Sequence, residues 1–107
     1  MGLDVAIIHA LSVKDKVLFK KHAVVRMRQR KISAGEVKAV LQCCKTIEEY
    51  PSDRPLPSGL ILGYTNKRPI HVVVALDKDE EMIWLITVYE PTLDMWGEGF
   101  DTRRKLE

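Results

Sequence analysis

Cysteine is almost absent from this chain of 107 residues, and the two that it has, Cys43 and Cys44, are neighbours. Adjacent cysteines rarely join, because a disulfide between them strains the intervening peptide. No C-x-x-C spacing is present, so a redox motif is missing as well. Two thiols left reduced fit a cytoplasmic protein, which is the expected location. Long apolar runs are also lacking: none approaches the ~20 residues of a membrane span. Asp4, and no basic region, precedes the short apolar stretch near the N-terminus, so no signal peptide is expected. Ala6 stands where a myristoylation signal carries Ser or Thr. Gly59 and Gly63 do not make a phosphate loop, and no nucleophile elbow is present. His9, His22 and His71 have no ligand-like spacing. Cys43 and Cys44 could not easily share one tetrahedral ion from a regular helix, so neither a metal nor a cofactor is expected. There is no internal repeat.

What is present suits one small domain. A chain of this length buries on the order of 60–70% of its unfolded surface, enough for a single core. A single α+β domain is expected over residues 1–105, with Leu106-Glu107 read as a vector-derived tail. Net charge is only +2, but it is unevenly spread. Residues 14–31 carry eight Lys or Arg against Asp15, a balance of +7, and residues 77–101 carry eight Asp or Glu against Lys78, a balance of −7. The basic segment either attracts phosphate or is a solvated helix answering the acidic turn.

The stretch from Pro69 to Pro91 organises the rest. Ile70–Leu76 and Met82–Tyr89 are two apolar, β-branched strands, and the charged link Asp77–Glu81 suits a hairpin. Strict alternation puts His71, Val73 and Ala75 on one face of the first strand. It groups Trp84 with Met82, Ile86 and Val88 on an apolar, core-facing side of the second, and Thr87 with Ile83, Leu85 and Tyr89 on the other. Upstream, Asp4–Ser12 has helical spacing. Val17-Leu18-Phe19 reads as a short edge strand. Lys21–Arg30 returns to helix, with Ala23, Val24 and Met27 inward and His22, Arg26 and Arg30 at i, i+4 and i+8. Ser33 and Glu36 form a capping box before a second helix that runs to about Cys44. Thr46–Tyr50 and Leu60–Thr65 are further strands around a proline-rich loop, and Thr92–Lys105 wraps an edge or frays. Helices followed by four strands predict an α+β fold, N-terminal helices packed on a four-stranded, mainly antiparallel sheet. Its other face is open or covered by the C-terminal tail.

The order of motifs is familiar. His22-Ala-x-x-Arg26-Met-x-x-Arg30-x-Ile32, then Tyr50-Pro-x-Asp53-x-Pro55-x-Pro57-Ser58-x-Leu60-x-Leu62-Gly63, then Pro69-x-His71-Val72, Ile86-Thr87-Val88-Tyr89-x-Pro91 and Trp96 together resemble the bacterial domain-of-unknown-function family 4258. The resemblance spans roughly residues 17–96. It implies kinship with the RelE-like toxin fold, whose members are small, metal-independent endoribonucleases. Such domains are considered partners of zinc-finger, helix-turn-helix antitoxins. A shared fold does not by itself carry the activity over.

RNA cleavage without a metal needs a base, an acid and cations for the transition state. His22 and His71 are the acid–base candidates, because imidazole titrates near neutrality. Arg26 and Arg30 are candidates to hold phosphate, or else to pair with Glu48, Glu49 or Glu90. Tyr89 is a stacking or hydrogen-bonding candidate, with Thr87, Tyr50, Lys20 and Lys21 as substrate contacts. Trp96 reads as a pin for the tail. Three functions compete on sequence alone: a toxin-type ribonuclease, a non-catalytic module binding protein or RNA, and self-association through a sheet edge.

Overall fold

A computed structural model describes residues 3–104. The tail expected at residues 106–107 lies outside the described residues, as does the domain boundary at 105. The elements in chain order are α1 (Val5–Val13), β1 (Val17–Phe19), α2 (Lys21–Arg30), α3 (Ala34–Gln42), β2 (Lys45–Tyr50), β3 (Ser58–Thr65), β4 (Arg68–Asp77) and β5 (Met82–Tyr89).

Three helix ends have a clear local cause. The Asp4 carboxylate accepts the Ala6 and Ile7 amides at 3.0 and 3.3 Å and starts α1. The capping box at α3 is reciprocal: Glu36 N–H donates to Ser33 Oγ, and Ser33 N–H to Glu36 Oε1, both at 3.0 Å. Helix α2 stops at Lys31, which takes the left-handed conformation (φ 57°) while Ile32 N–H closes back on the Met27 carbonyl. The β3–β4 turn needs positive φ at both central residues, and Asn66 (51°) and Lys67 (64°) supply it.

The sheet has five strands in the order β1-β5-β4-β3-β2, which corrects the expected four. The three neighbouring pairs from β2 to β5 are antiparallel, as expected. The fifth strand is β1, at the edge as the sequence suggested, but paired parallel to β5 through Val17–Phe19 and Ile83–Leu85. Partners so distant in sequence share no turn, so nothing local announces the pairing.

The three helices share one face of the sheet. There, Ile61, Ile70, Val72, Val74, Ile83, Leu85 and Val88 pack with Ile8, Ala23, Val37, Val40 and Leu41 into one buried core. Helix α3 comes so close to β3 that a Cβ at Gly63 would stand 2.7 Å from Val40 Cγ1 and 3.0 Å from the Val40 carbonyl oxygen.

A bulge in β5 resets the faces read from alternation. Val74 pairs with Leu85, but Val73 pairs with Thr87, so Ile86 is the extra residue. Trp84 therefore joins Thr87 and Tyr89 on the face carrying His71, Val73 and Ala75, while Leu85 and Val88 both reach the core. The expected core position of Trp84 is thus corrected. Its ring is half-buried on the second face, with the Lys20 ammonium 4.4 Å above its centroid.

The C-terminal segment wraps rather than frays. Residues 92–104 form a loop closed by a bridge between Trp96 and Arg103, and Trp96 is buried. Its hydrogen bonds, described next, lay it over the His71 end of the second face.

Candidate functional site

Strand β1 stops pairing at Leu85, and α2 follows at once, packing along β5. Where helix, strand end and wrapped tail meet, a groove of about 350 Å³ opens. Arg26, Arg30, Thr87, Tyr89, Glu90 and Trp96 line it. Arg26 and Arg30 are one helical turn apart and so share a face of α2. Arg26 Nη1 donates to Gln29 Oε1 at 3.2 Å. Neither arginine enters an ion pair among the described residues. The carboxylates weighed as their partners are held elsewhere. Glu48 is gripped by Arg103 at 2.6 and 3.0 Å, Glu90 by Arg68 at 2.7 Å, and Glu49 accepts the Leu3 amide at 2.9 Å. The groove thus holds two guanidiniums without an ion pair among the described residues, while Glu90 is already paired with Arg68.

Behind the groove His71 is fully buried, at 0% exposure. Its Nε2 lies 2.7 Å from the Phe100 carbonyl oxygen, and its Nδ1 lies 3.1 Å from the Tyr89 hydroxyl. A carbonyl can only accept, so Nε2 carries the proton and Nδ1 accepts from Tyr89. Trp96 stands edge-on to the imidazole at 4.4 Å, and the Arg103 guanidinium lies 4.7 Å above the indole. Burial lowers the His71 pKa; the Phe100 carbonyl opposes this, Arg103 adds to it and Glu48 opposes it. Burial likewise raises that of Tyr89. The neighbouring Tyr50 hydroxyl, pushed up to about 12 by burial and by Glu48, donates to Glu48 Oε1 at 2.7 Å.

The structure therefore gathers Arg26, Arg30, Thr87 and Tyr89 around one groove, with His71 behind Tyr89. It does not bring His22 and Tyr50 into the lining. His22 is exposed on the first turn of α2, one turn ahead of Arg26. Lys20 sits on Trp84, and Lys21 is exposed. Sequence reasoning missed the place of Glu90 in the lining and the Phe100 carbonyl that fixes the imidazole. No residue type signals a backbone acceptor. Trp96 does pin the tail, as expected, but it also walls the groove.

Two further cavities take none of the candidate residues. One, of about 490 Å³, lies between the proline-rich loop and the β4–β5 turn, and one of about 230 Å³ lies between β1 and α3. No group of three or more His, Cys, Asp or Glu among the described residues is placed to hold a metal ion. No helix among them is long and apolar enough to cross a membrane.

A family model described as "Domain of unknown function (DUF4258)" matches residues 19–90. That span runs from the end of β1 to the end of β5 and includes both groove arginines, His71 and Tyr89. No curated protein and no solved structure matches the chain.

Proposed function

The chain belongs to the DUF4258 family, a domain family of unknown function, and on that premise we propose that it is a RelE-like, toxin-type ribonuclease acting on RNA in the cytoplasm. The observation that carries this reading is the convergence of Arg26, Arg30, Thr87 and Tyr89 on one groove with His71 directly behind. Two unpaired guanidiniums suit a phosphodiester, which they can grip in bidentate fashion. Tyr89 and Trp96 offer π surface to a base.

The chemistry assigned to the groove is metal-independent acid–base catalysis. Tyr89 Oη takes the proton of the ribose 2′-hydroxyl as its own proton passes to His71 Nδ1. The freed oxygen attacks phosphorus, giving a 2′,3′-cyclic phosphate and expelling the 5′-oxygen. The imidazolium keeps its Nε2 proton on the Phe100 carbonyl, and the Glu48 carboxylate favours the new positive charge. Arg26 and Arg30 hold the charged transition state. The leaving oxygen takes its proton from water, because His22, on the same helix stripe, stands outside the groove lining. In a toxin–antitoxin pair, the partner would be a zinc-finger, helix-turn-helix antitoxin.

A second reading has its own support. Burial lowers the His71 pKa and raises that of Tyr89, and both effects oppose this proton transfer. In that reading the groove binds RNA and leaves it intact. Induced expression of wild type beside Tyr89→Phe separates the two. Growth arrest with new RNA ends in wild type only, unaffected by chelator in vitro, supports the ribonuclease. Intact RNA with salt-sensitive binding leaves the binding module. Intact RNA without binding removes both.

A further inference from the structure

Strand β1 ends the sheet, so one side of its backbone has no strand beside it among the described residues. The inner side is fixed by two bonds: Ile83 N–H donates to the Lys16 carbonyl at 2.9 Å, and Lys20 N–H to the Leu85 carbonyl at 3.0 Å. Main-chain groups alternate sides along a strand. Val17 and Phe19 therefore direct their N–H and C=O groups outward, and no hydrogen bond takes them outside the sheet among the described residues. Such an edge is a template for another strand.

The two faces beside this edge differ. On the helix side, Val17 and Phe19 form one wall of the 230 Å³ cavity, and Ala34, Gly35, Lys38 and Leu41 of α3 form most of the other. A strand laid on β1 would place alternate side chains beside this cavity, which has room for one aliphatic group. On the second face Leu18 is 42% exposed next to its strand partner Trp84. Charge selects the occupant. Lys14, Lys16, Lys20 and Lys21 flank the edge, and the intervening Asp15 is held by Lys38 at 2.5 Å. A second copy would bring the same lysines against these, which disfavours self-pairing.

We infer that the free edge of β1 receives an extended acidic segment of a partner protein as a sixth strand, with one apolar side chain seated between β1 and α3. The inference does not rest on RNA cleavage. The Arg26→Ala/Arg30→Ala protein should bind such a segment unchanged, because neither residue touches this edge.

The probe is a fluorescein-labelled nine-residue peptide that alternates glutamate with valine or leucine. Anisotropy should show saturable binding that weakens as salt rises. Amide exchange at Val17 and Phe19 should slow in the complex. Gly35→Leu tests the cavity: Gly35 lines it, and a Cβ there meets nothing nearer than Ser33 Oγ at 3.8 Å. It should lower affinity by about tenfold or more without lowering the unfolding midpoint, since leucine is the better helix former. Val17→Pro removes one outward N–H and should act alike. A peptide with lysine in place of glutamate should not bind. Any of the following outcomes overturns the inference. One is no saturable binding up to about 1 mM, or binding that is indifferent to Gly35→Leu and leaves Val17 and Phe19 unprotected. Another is a mass that doubles with concentration and reverts in Val17→Pro, which seats a second copy on the edge. The third is protection of the same amides by a short RNA and not by the peptide.

Discussion

The Tyr89 hydroxyl donates to Nδ1 of His71 across 3.1 Å, and it has no choice of role, because Nε2 of the same ring is committed to the Phe100 carbonyl. One buried imidazole thus fixes a tail carbonyl on one side and a groove hydroxyl on the other. Tyr89→Phe removes only the hydroxyl. Its stability cost should be about 1–3 kcal/mol, because the buried Nδ1 is left without a donor, read by denaturant unfolding. RNA affinity should hold within about twofold, while cleavage falls by roughly 10²-fold or more, the range of a lost proton-transfer group. A matching loss of affinity and cleavage would instead make Tyr89 a binding surface.

The same burial makes stability depend on pH. Burial lowers the His71 pKa below its ordinary value of 6.5, so the unfolded chain binds the proton more readily than the folded one. The stabilisation is present above about pH 6.5 and is lost as the pH falls from there toward the folded pKa, at no more than about 1.4 kcal/mol per pH unit. His71→Gln keeps a donor for Phe100 but does not titrate. It should lower stability at pH 7.5 and flatten the profile between pH 7 and 5, followed by thermal melts. Glu48 acts in a lower window. The Arg103 hydrogen bonds lower its pKa from 4.5, so its contribution is lost only as the pH falls below about that value.

Gly63 tests the contact between α3 and β3. A methyl group there must push against Val40, including its backbone carbonyl, which cannot rotate away. Gly63→Ala should therefore cost about 1–3 kcal/mol by overpacking, measured as a shift in the denaturation midpoint at unchanged slope. Val40→Ala in the same chain should recover part of that stability, since it removes the Cγ1 clash but not the carbonyl.

The sequence carries its local signals well and its non-local ones poorly. Ser33 and Glu36 announce α3, and alternation with the Asp77–Glu81 link announces the β4–β5 hairpin, because in each case the interacting groups are close in the chain. The parallel partner of β1 leaves no such mark. Neither does the bulge at Ile86, since a β-branched residue suits a regular strand as well as an interrupted one. That single extra residue decides that Trp84 shares a face with Tyr89, so alternation misplaced it. In the groove, the i, i+4 spacing made Arg26 and Arg30 legible as a pair. His71 was legible as a strand residue of interest, but not as a buried one. Its cover comes from Trp96 and the Phe100 carbonyl, and tail residues without periodicity do not reveal where they fold back.

The two groove arginines should act electrostatically rather than structurally. Arg26→Ala/Arg30→Ala should change stability by no more than about 0.5 kcal/mol, because neither forms an ion pair among the described residues. Affinity for a short single-stranded RNA should fall, and the slope of log affinity against log salt should shrink by about 0.7 for each phosphate that is no longer neutralised. An unchanged slope would place the RNA elsewhere on the surface.

Arg68 links the fold to the groove, and its two roles can be separated. Its Nε holds Glu90 at 2.7 Å, Nη1 reaches Glu36 at 3.3 Å, and Nη2 caps the Arg30 carbonyl at 2.9 Å. One guanidinium thus ties the end of α2 and the start of α3 to the ends of β4 and β5, while masking the one carboxylate that lines the groove. Arg68→Ala should cost about 2–3 kcal/mol, and Arg68→Lys should recover only part of it, since an ammonium lacks the planar fork. The same Arg68→Ala change frees Glu90 to repel phosphate, so RNA affinity should fall as well. Adding Glu90→Gln should restore that affinity but not the stability. If both return together, Arg68 acts on the groove only through the fold; if neither does, the masking of Glu90 is irrelevant to RNA.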